Sequence, residues 1–137
     1  MKKLIIILAL LLFVSNGWTK WTSSTINANN QNHYYIDFET IKEENGYVYY
    51  WELVDFQKPD SNGNMSQKEY VKTNCKKSIA TVVNLLLYKD SMGKGVVVEV
   101  KPVLVDESDW ILANPGSVLE VQLTTVCSYV AYIRKSL

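Results

Sequence analysis

Short runs of β-type sequence, separated by turn signals, constrain the fold of this chain more than any other feature. The runs are rich in β-branched and aromatic residues, and the connections contain Gly, Asn and Pro. Asn45-Gly46 is the strongest turn signal, because both positions tolerate positive φ and so favour a two-residue hairpin. Short connections also favour antiparallel pairing. We therefore expect a meander of about five or six strands, at Trp21–Ile26, His33–Phe38 with a continuation to Ile41, Tyr47–Phe56, Gln67–Cys75, Ile79–Tyr88 and Val96–Val100.

The C-terminal part of the chain changes from a strand-like to a helical pattern. Ser117 and Glu120 have the spacing of a capping box, in which each side chain satisfies a free backbone N–H of the first turn. Val and Thr in this segment weaken the prediction, since they prefer strands. Apolar residues nevertheless recur at helical spacing, at Leu119, Leu123, Val126, Cys127 and Val130. Because this stripe must be buried, we predict an α+β fold, an antiparallel meander with a C-terminal helix packed on one face.

Residues 1–17 have the pattern of a secretory signal peptide. Lys2 and Lys3 give a positive start, Leu4–Val14 is an unbroken apolar run, and small or polar residues follow it. The alternative is a retained membrane anchor, but the run is shorter than the ~20 apolar residues that a spanning helix needs. The run also lacks the Cys that carries the lipid of a bacterial lipoprotein. We therefore expect a single domain at residues 18–137, exported to the periplasm or the cell surface without a lipid anchor.

Export also determines the expected state of the two cysteines, Cys75 and Cys127. In an oxidising compartment an even cysteine count favours a disulfide, and the alternative is two free thiols. Cys127 lies on the apolar stripe of the predicted helix. A bond between the two cysteines would therefore fasten the helix to the sheet.

Composition and motifs argue against nucleic-acid binding and catalysis. The chain has 14 basic and 14 acidic residues, and loss of Lys2 and Lys3 leaves a net charge near −2. A nucleic-acid partner favours a basic face instead. His33 is the only histidine, and its place at a strand start indicates a surface residue rather than a base. No G-x-S-x-G elbow or Gly-rich phosphate loop occurs, and the acidic run Asp106–Asp109 lacks EF-hand spacing. We expect no enzyme activity, no cofactor and no metal site.

The aromatic segment YVYYWELVDF, residues 47–56, raises the question of what a partner could contact. Alternate strand residues share a face, and the side with Tyr49, Trp51 and Leu53 has the larger continuous apolar surface, so we assign it to the core. Glu52 on the opposite side would meet water beside aromatic and apolar neighbours, as in an interaction surface. The candidate protein-binding or dimer face is Tyr50, Glu52, Val54 and Phe56. The alternative is that a loop or the N-terminal segment covers this face.

Several motifs, taken in order, resemble the surface-adhesin protein E family of Gram-negative bacteria. The series is WELVDFQKP from Trp51, Ser66, Asn74-Cys75-Lys76, Tyr88, Met92-Gly93-Lys94-Gly95, Trp110, Pro115-Gly116-Ser117 and Cys127. The resemblance implies an exported α+β domain with an antiparallel sheet and a C-terminal helix. It also implies adhesion to host proteins.

Two functional hypotheses remain open at this point, beside an enzyme, which the scarcity of catalytic residue types disfavours. One is an exported, adhesin-like module that contacts a host or envelope protein without catalysis. The other is a soluble periplasmic structural or stress-related domain without a host partner, which the missing lipid-attachment Cys favours. A fold shared with an adhesin does not by itself establish adhesion.

Overall fold

The computed structural model describes residues 20–100 and 107–137, so the predicted signal peptide at residues 1–17 lies outside it. The predicted α+β fold, an antiparallel sheet with a C-terminal helix, is confirmed. The elements are β1 (Trp21–Ile26), β2 (His33–Glu44), β3 (Tyr47–Asp55), β4 (Ser66–Asn74), β5 (Ile79–Tyr88), β6 (Val97–Val100), β7 (Ile111–Leu112) and α1 (Val118–Ser136). Short 3-10 turns lie at Ser91–Gly93 and Glu107–Asp109.

The sheet is a meander in which β1 to β6 lie side by side in chain order, each antiparallel to the next. At the far edge, β5 pairs with β6 through Leu85–Tyr88 and with β7 through Ile79 and Ala80. The predicted turn at Asn45-Gly46 joins β2 to β3, and its residues have φ values of 53° and 82°. Asn and Gly suit this turn because they accept the left-handed region at the lowest cost.

β2 is longer than predicted and contains a wide irregularity. Its register against β3 shifts between Asp37 and Lys42. Thr40 stabilises the interruption, because its Oγ1 donates to the Asp37 carbonyl at 2.7 Å and accepts from the Trp51 N–H at 3.0 Å. The extra residues bring two further side chains against the core, Phe38 and Ile41.

The helix α1 begins where the capping motif predicts. Ser117 is the N-cap residue, and its Oγ accepts a hydrogen bond from the Glu120 N–H at 3.1 Å. One side of α1 packs against β1, β2 and β3, and near its C-terminal end Arg134 forms an ion pair with Glu43. Within the described residues, no helix is both long enough and apolar enough to span a bilayer. The core between sheet and helix contains Ile36, Val48, Tyr50, Val71, Ala80, Leu123 and Val126.

The predicted disulfide joins Cys75 and Cys127, whose Cα atoms are 5.9 Å apart. Cys75 directly follows β4, and Cys127 lies near the middle of α1. The two residues are separated by 52 positions in the chain. The bond therefore holds the helix on the sheet, as predicted.

The two faces of β3 are the reverse of the prediction. Tyr50 is 0% exposed, Val54 2% and Glu52 6%, and these alternate residues lie on the side of the sheet that carries α1. The prediction that they form an open protein-binding face with Phe56 is therefore wrong. The physical reason is that a carboxyl group can be buried when it is hydrogen bonded, and Gln122 of α1 donates to Glu52 at 2.8 Å.

On the opposite face, Leu53 is fully buried as predicted, but Tyr49 and Trp51 are only half-buried. The 3-10 turn Ser91–Gly93 covers Leu53, and its backbone donates a hydrogen bond to Asp55 Oδ1 at 2.7 Å. The rest of this face is not covered by the helix. Within the described part of the chain, the sheet therefore has one face under α1 and one face that the 3-10 turn closes at one end.

Candidate functional site

The side of the sheet without the helix carries a set of aromatic rings, which we call the aromatic face. Trp51 of β3 stacks with Tyr70 of β4 at a centroid distance of 5.1 Å, and Tyr70 stacks with Tyr49 at 5.7 Å. The ring centroid of Tyr47 lies 5.9 Å from that of Trp110, which immediately precedes β7. All five side chains are half-buried. Rings that are held in place by one another yet remain accessible are suited to contact another protein.

Lysine side chains lie over these rings. The Lys72 Nζ is 4.1 Å from the centroid of Tyr47 and 5.7 Å from that of Trp110. The Lys42 Nζ is 5.7 Å from the centroid of Tyr49. Such a cation–π contact at an exposed site stabilises by ~0.5–1 kcal/mol. Lys42 forms an ion pair with Glu44 at 3.3 Å. Among the side chains that the structure describes, no carboxylate forms an ion pair with Lys72, so Lys72 is the lysine of the aromatic face whose charge a partner can meet.

Lys68 lies where the 3-10 turn closes one end of this face. Its Nζ is 4.9 Å from the centroid of Tyr88 and 5.6 Å from that of Trp21. A Cβ atom at Gly93, which has a φ of 68°, would come within 2.6 Å of Lys68 Cε. Glycine therefore lets the turn pack on the Lys68 stem. Among residues 20–100 and 107–137, the accessible rings of the aromatic face lie toward the other end of β3.

The opposite side of the sheet contains a cleft of about 530 Å³ between the first turns of α1, the end of β1, and strands β4 and β5. Glu52 and its directly paired neighbour Glu69 both line this acidic cleft. Glu52 Oε2 accepts hydrogen bonds from Gln122 Nε2 at 2.8 Å and from the Tyr50 hydroxyl at 3.4 Å. Glu69 Oε1 accepts a hydrogen bond from Gln67 Nε2. Two carboxyl groups therefore meet beneath the N-terminal part of the helix.

Burial changes the ionisation of the groups around the acidic cleft. Loss of water raises the pKa of Glu52 well above its ordinary value, and repulsion from Glu69 raises it further. Burial is also the main cause that raises the pKa of the Tyr50 and Tyr34 hydroxyl groups, followed by the negative charge of Glu52. Glu52 is therefore a neutral acid over part of the pH range in which an exposed glutamate is ionised.

The other residues that the sequence singled out either make contacts that support the fold or lie outside the described residues. Phe56 is half-buried just after β3, and its N–H donates to the Met65 carbonyl at 2.9 Å. His33 Nε2 is 2.8 Å from Ser23 Oγ, within hydrogen-bonding distance. The acidic run that begins at Asp106 lies partly outside the described residues. Over the described ranges, no three His, Cys, Asp or Glu side chains are grouped so that they could hold a metal ion.

Sequence reasoning missed Tyr70 and Lys72 of the aromatic face and Gln122 of the acidic cleft. The signal for the first two is strand pairing, because the β3–β4 register places them directly opposite Trp51 and Tyr49. Cross-strand neighbours on one face interact in this way. For Gln122 the signal is a polar residue directly beside the apolar stripe of the predicted helix.

Comparison with protein-family models matches residues 18–128 to the family described as surface-adhesin protein E. The chain belongs to this family. The resemblance carried by the ordered motif series is thereby confirmed. The adhesin E family is described as a surface adhesin rather than as an enzyme, and this description implies an exported protein.

The structure is also similar to solved structures of protein E from Haemophilus influenzae. For crystal form II of that protein, 21% of residues are identical, the TM-score is 0.59, and the match covers 81% of this chain and 89% of that chain. For protein E from non-typeable Haemophilus influenzae, the identity is 20% and the TM-score is 0.58, and the match covers 83% of this chain and 79% of that chain. These likenesses show a shared fold. A comparison with curated protein sequences finds no match.

Proposed function

We propose that this adhesin E family member is a non-catalytic protein-binding module, exported from the cell, whose aromatic face contacts a host or cell-envelope protein. The observation that carries the proposal is the set of half-buried rings on the side of the sheet that α1 leaves open, which form two groups in contact with Lys72. Tyr and Trp are enriched in the energetically dominant parts of protein interfaces, because they bury a large area with few rotatable bonds.

The charge on the aromatic face supports a proposal for the chemistry of the partner. Lys72 and Lys42 lie over the rings. A partner segment with carboxylates beside apolar side chains complements both features. Charges at the rim of an interface act mainly on the association rate and on its dependence on salt. Binding through this face should therefore weaken as the ionic strength increases.

The proposal is tested by binding of purified variants to intact host cells and to immobilised extracellular-matrix and envelope proteins. We expect Tyr70→Ala to weaken binding about tenfold or more, which corresponds to the loss of a modest interface anchor. Lys72→Glu should weaken binding and should reduce its dependence on salt. Both variants should keep a cooperative thermal transition.

Matched controls come from exposed residues away from the aromatic face. Tyr132 on α1 is 68% exposed, and Lys76 lies exposed in the turn after β4. Tyr132→Ala and Lys76→Glu should bind as the parent protein does. Equal binding by the face variants and their controls would contradict the assignment of the aromatic face.

A further inference from the structure

The acidic cleft brings two carboxyl groups together on neighbouring strands. Glu52 and Glu69 lie directly opposite each other on β3 and β4. Over the described ranges of the chain, neither carboxyl group forms an ion pair with a Lys or Arg side chain. The side-chain donors that reach the pair are Gln122, Tyr50 and Gln67. Two neighbouring carboxyl groups are therefore held by neutral donors.

Gln122 gives a second and independent indication of a ligand. Its side chain lines the cleft and is 1% exposed. Its Nε2 donates to Glu52, but its Oε1 has no hydrogen-bond partner among the described residues. Buried acceptors in folded proteins are normally satisfied. A water molecule or a donor from a bound molecule would satisfy this oxygen, and its place in the lining of the acidic cleft points to the second.

We propose that the acidic cleft binds a guanidinium group, which donates to Glu69, Glu52 and the Oε1 of Gln122. A guanidinium carries five N–H donors in a planar fork and no acceptor, so it can serve two carboxyl groups and an amide carbonyl together. An ammonium group has three donors on one atom and serves such spread acceptors less well. The cleft volume of about 530 Å³ lies within the range of small-ligand sites.

Two sources offer this chemistry, a free small guanidine and an arginine side chain of a partner polypeptide. The cleft lies on the helix side of the sheet, opposite the aromatic face. The guanidinium site therefore does not depend on the proposed binding role of the aromatic face, and either can fail without the other.

Guanidinium binding is coupled to loss of a proton from Glu52. Burial and the adjacent Glu69 raise the pKa of Glu52, and the phenols of Tyr34 on β2 and Tyr50 on β3 are the other titratable groups near it. Gln122 on α1 and the side chains that β5 presents to the cleft are uncharged. A cation favours the ionised carboxylate, so the affinity should rise as the pH increases through the raised pKa and should fall on acidification.

The test is an NMR and calorimetric titration of the full mature chain with two guanidinium probes, butylguanidinium and the blocked peptide acetyl-Gly-Arg-Gly-amide. The matched control peptide contains citrulline, whose ureido group has nearly the same shape but no charge. We expect at least one guanidinium probe to bind at mildly alkaline pH, with chemical-shift changes around the cleft. The citrulline peptide should bind about tenfold more weakly or worse.

Variants localise the binding. Glu69→Gln and Glu52→Gln should each weaken it about tenfold or more, because each removes one charged acceptor. Glu52→Gln is close in shape to the neutral acid, and Glu69→Gln provides a second variant on a half-buried side chain. Glu120 lies on α1, as Gln122 does, but it lines a different cavity next to the disulfide. Glu120→Gln should therefore have no effect on binding.

Each outcome has a defined meaning. Binding of butylguanidinium alone assigns a free small molecule, and binding of the arginine peptide assigns an arginine of a partner polypeptide. Failure of both probes at millimolar concentration would overturn the proposal. Equal binding of the arginine and citrulline peptides, or binding that survives both Glu52→Gln and Glu69→Gln, would overturn it as well.

Discussion

Glu52 shows how one residue determines which face of a strand is inside. Alternation separates the side chains of β3 into two sets but does not say which set is covered. Glutamate usually marks the solvent side, because burial of an ionised carboxylate is costly. Here the carboxyl group accepts hydrogen bonds from Gln122 and Tyr50, and its pKa is raised by burial. The helix can therefore cover the side that contains the acid.

The stability of the protein should depend on pH through Glu52. Because the folded state raises the pKa of this group, it binds the proton more tightly than the unfolded chain does. The free energy of unfolding should therefore be highest below the ordinary glutamate pKa. It should fall as the pH rises toward the raised pKa, by ~1.4 kcal/mol for each unit of the shift.

Urea unfolding at a series of pH values measures this dependence. Glu52→Gln should flatten the curve, and at mildly alkaline pH it should be at least as stable as the parent protein. Glu120→Gln, on the same helix as Gln122, should keep the slope of the parent. Parallel curves for the parent and Glu52→Gln would show that this carboxyl group does not cause the dependence.

Adjacent tyrosines test the assignment of the two faces. Tyr50 is 0% exposed in the core under α1, whereas Tyr49 is half-buried on the aromatic face. Tyr50→Ala should lower the free energy of unfolding by ~3–5 kcal/mol, as large-to-small changes of buried aromatics do. Tyr49→Ala should lower it by less than half as much. Chemical denaturation compares them, and Tyr50→Leu gives a milder variant for the same comparison. Equal losses would contradict this assignment of the faces, and a larger loss for Tyr49→Ala would support the arrangement predicted from the sequence.

Most of the secondary-structure elements are predictable from local sequence. The bounds of β1 and β5 agree with the predicted runs, and α1 begins after Ser117, where the capping motif places it. β7 is missed because two residues carry no recognisable period. The charged end of β2, residues 42–44, is missed because its pairing comes from the Asn45-Gly46 turn rather than from apolar side chains.

The candidate sites are less predictable because their contacts are long range. The hydrogen bond between Gln122 and Glu52 joins residues 70 positions apart. The ring contact between Tyr47 and Trp110 likewise joins distant parts of the chain. Neither contact has a local pattern, so sequence periodicity finds the strands but not the side of the sheet on which the helix packs.

The disulfide should contribute strongly to the docking of α1. For a separation of 52 residues the chain-entropy model gives about 4 kcal/mol. The double variant Cys75→Ser/Cys127→Ser should therefore lose a comparable free energy of unfolding in urea. Reductant should destabilise the parent protein similarly and leave the double variant unchanged. A reductant effect on the double variant would contradict this explanation.

The whole molecule presents two chemically different sides across one sheet. One side offers rings and lysines, and the other offers a cleft with two carboxyl groups. The features do not share residues, and successive side chains of β3 and β4 point to opposite sides of the sheet, so conservative substitutions in one should have little effect on binding at the other. A single chain could therefore engage two partners at the same time.

Access on intact cells tests the host-binding part of the proposed function. We expect an antibody or added protease to reach the protein on intact bacteria, while a periplasmic marker in the same sample stays protected. Protection of both proteins, with release of this one by osmotic shock, would contradict contact with host proteins. An envelope protein would then be the partner for the aromatic face.

The order of the elements along the chain has a consequence for biosynthesis. All the described strands precede α1, so the helix that covers Ile36, Val48 and Tyr50 is made after the strands beneath it. A nascent chain can therefore complete the strands of its sheet while the apolar surface that the helix will cover is still exposed to solvent. A premature stop codon shortly before residue 118 would leave this surface permanently uncovered. Such a truncated product should become a target for chaperones and proteases rather than a smaller working protein.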